Sequence, residues 1–200
     1  MLIADKWKDY RLIDMGNGEK LEDWGGIIVA RPDPQIIWDK VSQENWHDCH
    51  MHYHRTNTGG GYWEIKKPVP ERWSVKYGNL KFIIRPTDFK HMGLFPEQAV
   101  NWDWITEKLA RISKENQPAK VLNLFAYTGG ATVAAAKSGA AVVTHVDAAK
   151  GMNHWAKENT VVSGINEKNL RFITEDVLKF VNREIRRQNK YDAIIMDPPS

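Results

Sequence analysis

The second half of the chain alternates between two hydrophobic periods. From residue 120 onward, short apolar runs of strand length are separated by stretches whose apolar residues recur at helical spacing. The predicted strands are Val121–Phe125, Val142–Val146, Leu170–Thr174 and Tyr191–Met196, and the predicted helices are Ala131–Lys137, Ala148–Val162 and Val177–Gln188. Repeated βα units predict an α/β fold, a Rossmann-like parallel sheet with helices on both faces.

The first part of the chain has a different pattern, with short alternating runs between turn signals. Tyr10–Met15 and Lys20–Trp24 flank Gly16-Asn17-Gly18, which predicts a β-hairpin because glycine and asparagine accept positive φ. Further candidate strands are Ile27–Ala30, Tyr62–Lys66 and Leu80–Arg85. After Pro96 the spacing becomes helical, with Trp102, Ile105, Leu109 and Ile112 on one face.

We therefore divide the chain into two parts. Residues 1–88 form a small, antiparallel, β-rich N-terminal unit, a candidate substrate-recognition region, and residues 89–200 form the Rossmann-like domain. A sheet of four strands would leave the apolar run Tyr191–Met196 at an exposed edge, which natural proteins normally cover. We therefore expect the domain to be incomplete at its C-terminus and the chain to be the front part of a longer protein.

Composition narrows the class of protein. Hydrophobic residues make up 42% and charged residues 26%, and no apolar run approaches the ~18 residues of a membrane span. The only cysteine, Cys49, cannot form an intramolecular disulfide, which favours a reducing, cytoplasmic location. A net charge of +3 permits a polyanionic partner without requiring one.

Six of the nine tryptophans lie in the first 73 residues. Our interpretation is that Trp24, Trp38 and Trp63 fill the core of the small β-rich unit. This interpretation allows one or two exposed rings. The alternative is that the N-terminal aromatic residues stack on unpaired bases, as in proteins that bind single-stranded RNA.

The turn after the first parallel strand is the first candidate for ligand binding. It lies within Lys120–Ala131 (KVLNLFAYTGGA) and lacks the GxGxxG pattern that packs against a pyrophosphate. A ligand with an amino-acid carboxylate fits better, and an ordinary βα turn is the alternative. Asp147 and Asp176 follow the next two strands, where each could cap a helix. Together they could instead bind ribose hydroxyls and an adenine amino group.

The last strand runs into Asp197-Pro198-Pro199. Two prolines fix φ and remove two backbone donors, so the turn is rigid and presents carbonyl groups. The preceding aspartate can accept a hydrogen bond from the amino group of a flat base. A rigid start to a loop is the alternative interpretation.

In combination, these segments resemble class I S-adenosylmethionine-dependent methyltransferases. More specifically, the chain is similar to the ribosomal RNA large-subunit methyltransferase family that includes the cytosine-C5 enzymes. The resemblance rests on NLFAYTGGA (123–131), HVDAA (145–149), EDV (175–177), DPPS (197–200) and HMGLFPEQAVNWDW (91–104).

The resemblance implies a site for S-adenosylmethionine and a substrate that is a base of ribosomal RNA. In such enzymes the loop from Asn123 to Gly129 holds the methionine part, Asp147 the ribose and Asp176 the adenine edge. Asp197 and Pro198 would face the target base and are the implied catalytic residues. The implied cofactor-binding residues are Phe95, Gln98, Asn123, Phe125, Tyr127, Thr128, Gly129, Asp147, Ala148 and Asp176.

Three positions depart from the wider pattern. Asn123 stands where many class I enzymes have an acid, which we treat as a mark of the subtype. Ser200 stands where enzymes that methylate amino groups prefer an aromatic residue, which argues against an exocyclic nitrogen as target. Cytosine-C5 methylation needs a thiolate nucleophile, and Cys49 in the β-rich region is a poor substitute for the family's cysteine.

The run Trp46–His54 (WHDCHMHYH) raises the question of a metal site. In a strand, His50, His52 and His54 would share one face, and three imidazoles on a flat face diverge too far for tetrahedral zinc unless another element contributes a ligand. We therefore predict a polar strand face and no metal.

Two other functions stay open. One is a nucleotide-dependent oxidoreductase, which the missing GxGxxG argues against. The other is a non-catalytic RNA-binding protein that keeps the fold. The predicted partner is RNA, with no membrane and with the oligomeric state unassigned.

Overall fold

A computed structural model describes residues 3–57, 59–115 and 118–199. The chain forms two compact units. The N-terminal unit comprises Asp5–Gly78 and Ile83–Pro96, and the C-terminal unit comprises Met1–Ala4, Asn79–Phe82 and Glu97–Ser200. The division at residue 88 and the substrate-recognition role of the first part stay predictions.

The N-terminal unit is built on a five-stranded sheet. Its elements are β1 (Tyr10–Gly16), β2 (Glu19–Trp24), β3 (Ile28–Pro32), α1 (Glu44–His47), β4 (Met51–Arg55) and β5 (Gly61–Ile65). Next along the chain, β6 (Trp73–Tyr77) and β7 (Leu80–Ile84) form a two-stranded sheet. The predicted hairpin is confirmed: Gly16 pairs with Glu19, and Asn17 and Gly18 have φ of 52° and 75°, the positive values of a type I′ turn.

One pair of strands differs from the predicted antiparallel arrangement. The order is β1-β2-β3-β4-β5, and β3 and β4 run parallel. Parallel neighbours need a long connection. Residues 33–50, which include α1, supply it and return the chain to the start of β4.

A buried ion pair lies in this sheet between β2 and β3. Glu22 is 0% and Arg31 3% exposed, and the guanidinium contacts both carboxylate oxygens, at 2.5 and 2.9 Å. The Tyr10 hydroxyl donates to the same carboxylate at 2.8 Å, and the Trp24 ring packs 5.5 Å from the guanidinium. Burial opposes ionisation, but Arg31 holds the pKa of the Glu22 carboxyl below its usual value.

The tryptophans divide between core and surface. Trp24 is fully buried, as interpreted, but Trp38 is 50% exposed and its indole N–H donates to the Met15 carbonyl at 3.0 Å. The interpretation of Trp38 as a core residue is therefore wrong. Trp63 is half-buried and donates to the Thr87 carbonyl at 2.8 Å.

The C-terminal unit has the predicted Rossmann-like arrangement. Its helices are α2 (Ala99–Glu115), α3 (Gly130–Lys137), α4 (Lys150–Val162) and α5 (Val177–Arg186), and its strands are β8 (Lys120–Leu124), β9 (Val142–Asp147), β10 (Leu170–Thr174) and β11 (Ala193–Met196). The sheet order is β10-β9-β8-β11 and every pair is parallel. Helix α5 is shorter than predicted, because Gln188 takes a left-handed φ of 55°.

Side chains that alternate along β8 pack against helices on both faces of the sheet. Val121 packs with Ile105 of α2 and Ala135 of α3. Leu122 and Leu124 point to the other face and pack with residues of α5. Among the described helices, none is both long and apolar enough to cross a membrane.

The buried Glu22–Arg31 pair predicts that replacing one partner alone lowers the free energy of unfolding by a large amount. Glu22→Ala removes the carboxylate that contacts the buried Arg31 guanidinium, which should lower the free energy of unfolding by about 3–5 kcal/mol. The measurement is urea unfolding followed by tryptophan fluorescence. Asp48→Ala is the control in the same unit, since it removes an exposed pair with Lys67 and should leave the midpoint unchanged. Equal midpoints for the two variants would contradict the structural importance of Glu22.

Candidate functional site

The carboxyl ends of the four parallel strands lie at one edge of the sheet. The register aligns Leu124 with Val146 and with Met196, and Asp147 with Thr174. The chain passes from β8 through β9 to β10 and then returns to the opposite side of β8 as β11. Such a reversal of strand order opens a crevice at the strand ends, which is where α/β sheets bind ligands.

The turn between β8 and α3 has an unusual backbone conformation. Phe125, Tyr127 and Gly129 all have positive φ, of 53°, 51° and 82°. For the two aromatic residues this conformation costs about 1–2 kcal/mol each, so surrounding contacts must hold it. The Ala126 amide donates to the Val146 carbonyl at 3.1 Å, which ties the turn to β9.

Asp147 supplies the second tie between the turn and β9. Its carboxylate accepts the Tyr127 amide at 2.8 Å on one oxygen and the Ala149 amide at 2.9 Å on the other. A carboxylate has about four acceptor positions, so both oxygens keep one for a ligand. Asn153 donates to the Asp147 backbone carbonyl at 2.9 Å, and Ala148 is exposed beside it.

Both glycines of the turn are required by packing inside the unit. A Cβ on Gly129 would lie 3.0 Å from Cβ of Ala156, and a Cβ on Gly130 would lie 2.8 Å from the Trp102 ring. Helix α2 therefore approaches Gly130 more closely than a side chain would allow, and α4 leaves little room for one at Gly129. This reason for the two glycines was not evident from the sequence.

A row of buried, hydrogen-bonded polar side chains supports the β8–α3 turn. The Asn123 amide donates to the Thr132 hydroxyl at 2.9 Å, and that hydroxyl lies 2.8 Å from Nδ1 of His145. Asn123 is 3% exposed, so its side chain is part of the support and not of an open surface. Burial lowers the pKa of His145 to about 3, so the imidazole is neutral.

The other predicted residues of the turn and of β10 have identifiable partners. Thr128 is buried, and its carbonyl accepts the side-chain amide of Asn159 on α4 at 2.8 Å. Phe125 and Tyr127 are half-buried. Asp176 caps α5 by accepting the Lys179 amide at 3.0 Å, so its predicted capping role is confirmed and its adenine role stays a prediction.

Asp197 follows β11 and is exposed, as is Pro198. The Gln98 side chain donates to the Asp197 carboxylate at 3.3 Å and accepts from Asn101 at 2.7 Å. The structure thus brings together two residues that the sequence placed 99 positions apart. Phe95 belongs to the N-terminal unit, where its ring lies 5.3 Å from His91, and Ser200 lies outside the described residues.

Sequence reasoning missed the side chains that hold the turn in place. Asn153 and Asn159 lie on the buried face of α4 with Trp155 and Ala156. Two asparagines on the buried face of one helix are unusual because asparagine is a weak helix former, and this signal could have identified them. His145 and Thr132 carried no such signal, since their contact depends on the crossover of α3.

Comparison with known proteins adds a family match. Residues 29–200 match the family model described as S-adenosylmethionine-dependent methyltransferase. Two similar curated proteins share the name ribosomal RNA large subunit methyltransferase K/L. The one from Syntrophotalea carbinolica is 37% identical over 146 residues, and the one from Shewanella sediminis is 32% identical over 139 residues.

The alignments cover 73% and 70% of this chain but only 19% and 18% of those proteins. The chain thus spans about a fifth of the length of the curated relatives it matches. Among solved structures, the SAM-dependent methyltransferase from Agrobacterium tumefaciens superimposes with a TM-score of 0.89 at 42% identity, over 96% of this chain and 61% of that one. A putative methyltransferase from Streptococcus mutans, with a TM-score of 0.77 at 19% identity over 98% of this chain and 53% of that one, shares the fold.

The close packing at Gly129 can be tested by a matched pair of substitutions. Gly129→Ala adds a methyl group against Ala156 at positive φ, whereas Gly139→Ala at the end of α3 has positive φ and open space around it. Both should lose about 1 kcal/mol or more from the conformation, and Gly129→Ala should lose a further ~1–3 kcal/mol from overpacking. Chemical denaturation measures the difference, and equal losses would show that Ala156 is not a constraint.

The buried His145 predicts a pH dependence of stability. The folded protein keeps this imidazole neutral to about pH 3, whereas the unfolded chain protonates it near 6.5. The unfolded state binds more protons below 6.5, so the free energy of unfolding should fall as pH falls through this range, by up to ~1.4 kcal/mol per unit.

Denaturation at a series of pH values, with His145→Asn and the exposed-histidine control His154→Asn, checks this dependence. The slope between pH 6.5 and 4 should be shallower in His145→Asn and unchanged in the control. An unchanged slope in His145→Asn would mean that the imidazole is not buried neutral.

Proposed function

The chain belongs to the S-adenosylmethionine-dependent methyltransferases, and on that premise we propose that it transfers a methyl group to a base of ribosomal RNA. The observation that carries the proposal is the Asp147 carboxylate, which is fixed at the end of β9 by two backbone amides with acceptor positions to spare. The names of the curated relatives support ribosomal RNA as the substrate. Because the chain spans only a fifth of their length, the activity and the substrate of the whole protein are part of the proposal.

The residues at the strand ends fit this cofactor. Asp147 cannot rotate away from the crevice while it holds the Tyr127 and Ala149 amides, so its two remaining acceptor positions suit the two hydroxyls of a ribose. Asp176 is exposed at the end of β10, the neighbouring strand, where it could accept from an adenine amino group. The turn from Asn123 to Gly129 would hold the methionine part through its backbone.

The carboxylate of Asp197 lies on the opposite side of the β8–α3 turn from that of Asp147. Asp147 ends β9 and Asp197 follows β11, and β8 lies between these strands. Two strand spacings separate them by roughly 10 Å, so a cofactor held at Asp147 and a base held at Asp197 could lie side by side with the methyl group between them. We assign Asp197 and Pro198 to the base, with Gln98 holding the Asp197 carboxylate in place.

The demands on these residues are mainly geometric. S-Adenosylmethionine supplies a methyl group on a sulfonium, which is already a good leaving group. Alignment of two reactants in one site is worth up to about 7–11 kcal/mol of barrier. Asp147 and Asp176 would orient one partner, and Asp197 with the rigid Pro198-Pro199 turn would orient the other.

Cys49 does not supply a nucleophile for methylation at a pyrimidine carbon. The residue is 0% exposed, and burial raises the pKa of its thiol, so the reactive thiolate is disfavoured. The 200 residues contain no other cysteine. Membership of this family removes the oxidoreductase alternative, while a non-catalytic RNA-binding role is an outcome that the experiment below distinguishes.

We place this activity in the cytoplasm, where the substrate RNA and a reduced thiol are both expected. The proposed partner is RNA. The mildly basic charge of +3 is compatible with phosphate contacts.

Calorimetric titration with S-adenosylmethionine tests the site. Asp147→Ala removes two charge-assisted hydrogen bonds to the ligand, so binding should weaken by about tenfold or more. Asp192→Ala is the control, since Asp192 also accepts a backbone amide, that of Lys120, but at the opposite end of the strands. Affinity within about twofold of wild type in Asp147→Ala would contradict the ribose assignment.

Transfer of a radiolabelled methyl group to total RNA tests the reaction. Asp197→Ala should keep cofactor affinity and lose at least about tenfold in transfer. Cofactor binding without transfer to any RNA would instead support the non-catalytic role. Lost cofactor binding together with an altered circular dichroism spectrum would mean that Asp197 is structural.

A further inference from the structure

A histidine-rich cluster on the N-terminal unit lies outside the proposed function. His52 and His54 are on β4, Glu64 is on β5, and one ligand atom from each lies within 4.8 Å of the other two. His52 and Glu64 are direct partners in the register of these antiparallel strands. The cluster therefore follows from regular pairing and needs no unusual loop.

The two imidazoles converge more than the sequence suggested. Residues two apart on a strand lie about 6.5–7 Å apart along it, yet the ring centroids of His52 and His54 are 4.2 Å apart. His50, predicted to share their face, lies before β4, and its Nδ1 accepts the Ile28 amide at 3.1 Å. The three imidazoles therefore do not share one face, although two of them converge, and the polar strand face without a metal stays a prediction.

Carboxylates hold the two rings in place. Glu19 on β2 lies 2.5 Å from Nε2 of His52, and Glu64 lies 2.9 Å from Nε2 of His54. Glu19 lies outside the candidate ligand set, and a carboxylate that orients a ligating imidazole is a recurrent feature of metal sites. Glu64 is instead a candidate ligand, and its contact with His54 already brings two ligand atoms to 2.9 Å.

Two ammonium groups lie beside these carboxylates. Lys40 lies 2.7 Å from Glu19 and Lys66 3.9 Å from Glu64. A bound cation would compete with these ammonium groups for the carboxylate oxygens.

We propose that His52, His54 and Glu64 form a binding site for a divalent transition metal ion of the zinc type. Imidazole nitrogen with carboxylate oxygen matches zinc, whereas magnesium and calcium prefer oxygen alone. Ligand atoms around a tetrahedral ion with ~2.0 Å bonds are roughly 3.3 Å apart, so the side chains must close by up to about 1.5 Å, within reach of small rotations. The side chains are 18%, 35% and 47% exposed, so an ion can enter from solvent.

The metal would join two neighbouring strands. Strand β5 is at the edge of the five-stranded sheet, and Glu64 is its contribution to the site. An ion bound only to the folded unit stabilises it by an amount that grows with the logarithm of ion concentration. The expected role is therefore to hold the edge strand to the sheet, independently of cofactor binding.

Calorimetric titration of the chain with Zn²⁺ tests the proposal. We expect one site per chain, with affinity weakened by about tenfold or more in both His54→Gln and Glu64→Gln. His154→Gln on α4 is the control, because it removes an exposed histidine far along the chain from the cluster. Mg²⁺, which prefers oxygen ligands alone, should give no heat.

Substitution of Co²⁺ identifies the ligands by absorption. The proposed set contains no thiolate, so the spectrum should show d–d bands without the intense near-ultraviolet band of a cobalt–thiolate bond. That ultraviolet band would assign the metal to Cys49 and overturn the proposal. Unchanged affinity in both His54→Gln and Glu64→Gln, or an equal loss in His154→Gln, would also overturn it. If one variant folds poorly, unfolding provides a second test. A Zn²⁺-dependent rise in the unfolding midpoint of wild type that is absent in Glu64→Gln supports the proposal.

Discussion

The hydrogen bond between the Asp147 carboxylate and the Tyr127 amide is the interaction on which the candidate site depends. The β8–α3 turn contains two aromatic residues at positive φ, a conformation that an isolated peptide would not keep. Asp147 holds that turn against the end of β9 through one oxygen and starts the segment leading to α4 through the other. One side chain therefore shapes the crevice and remains available to a ligand in it.

The buried polar side chains below and around this turn each make at least one hydrogen bond. The Asn123–Thr132–His145 chain lies under the turn, and the two α4 asparagines bond to its backbone and to that of Asp147. In the N-terminal unit, the Glu22–Arg31 pair follows the same rule with full charges. Because an unpaired buried polar group costs several kcal/mol, such networks define one conformation more strictly than apolar packing does. A rigid turn is what a site that works by positioning requires.

The parts predictable from sequence are those with local signals. Apolar runs of strand length, glycine stops and the Asp-Pro-Pro turn indicated the parallel sheet and the places where Asp147, Asp176 and Asp197 follow its strands. The Gly16-Asn17-Gly18 turn indicated the first hairpin for the same reason, since its positive φ values belong to those residue types. By contrast, the parallel pairing of β3 with β4 depends on how residues 33–50 return across the sheet, and no local pattern encodes that path.

By itself, the sequence determined the α/β class, the order of strands and helices after residue 120, and the acids at the strand ends, because hydrophobic period and turn chemistry are properties of neighbouring residues. Tertiary structure alone decided that Gln98 meets Asp197, that Gly129 and Gly130 make room for Ala156 and Trp102, and that Asn123 is turned into the core. Tertiary structure also decided that the rings of His52 and His54 pack against each other, while His50 accepts the Ile28 amide. These outcomes depend on the pairing and packing of segments that are distant along the chain, and such contacts are set only when the whole unit folds.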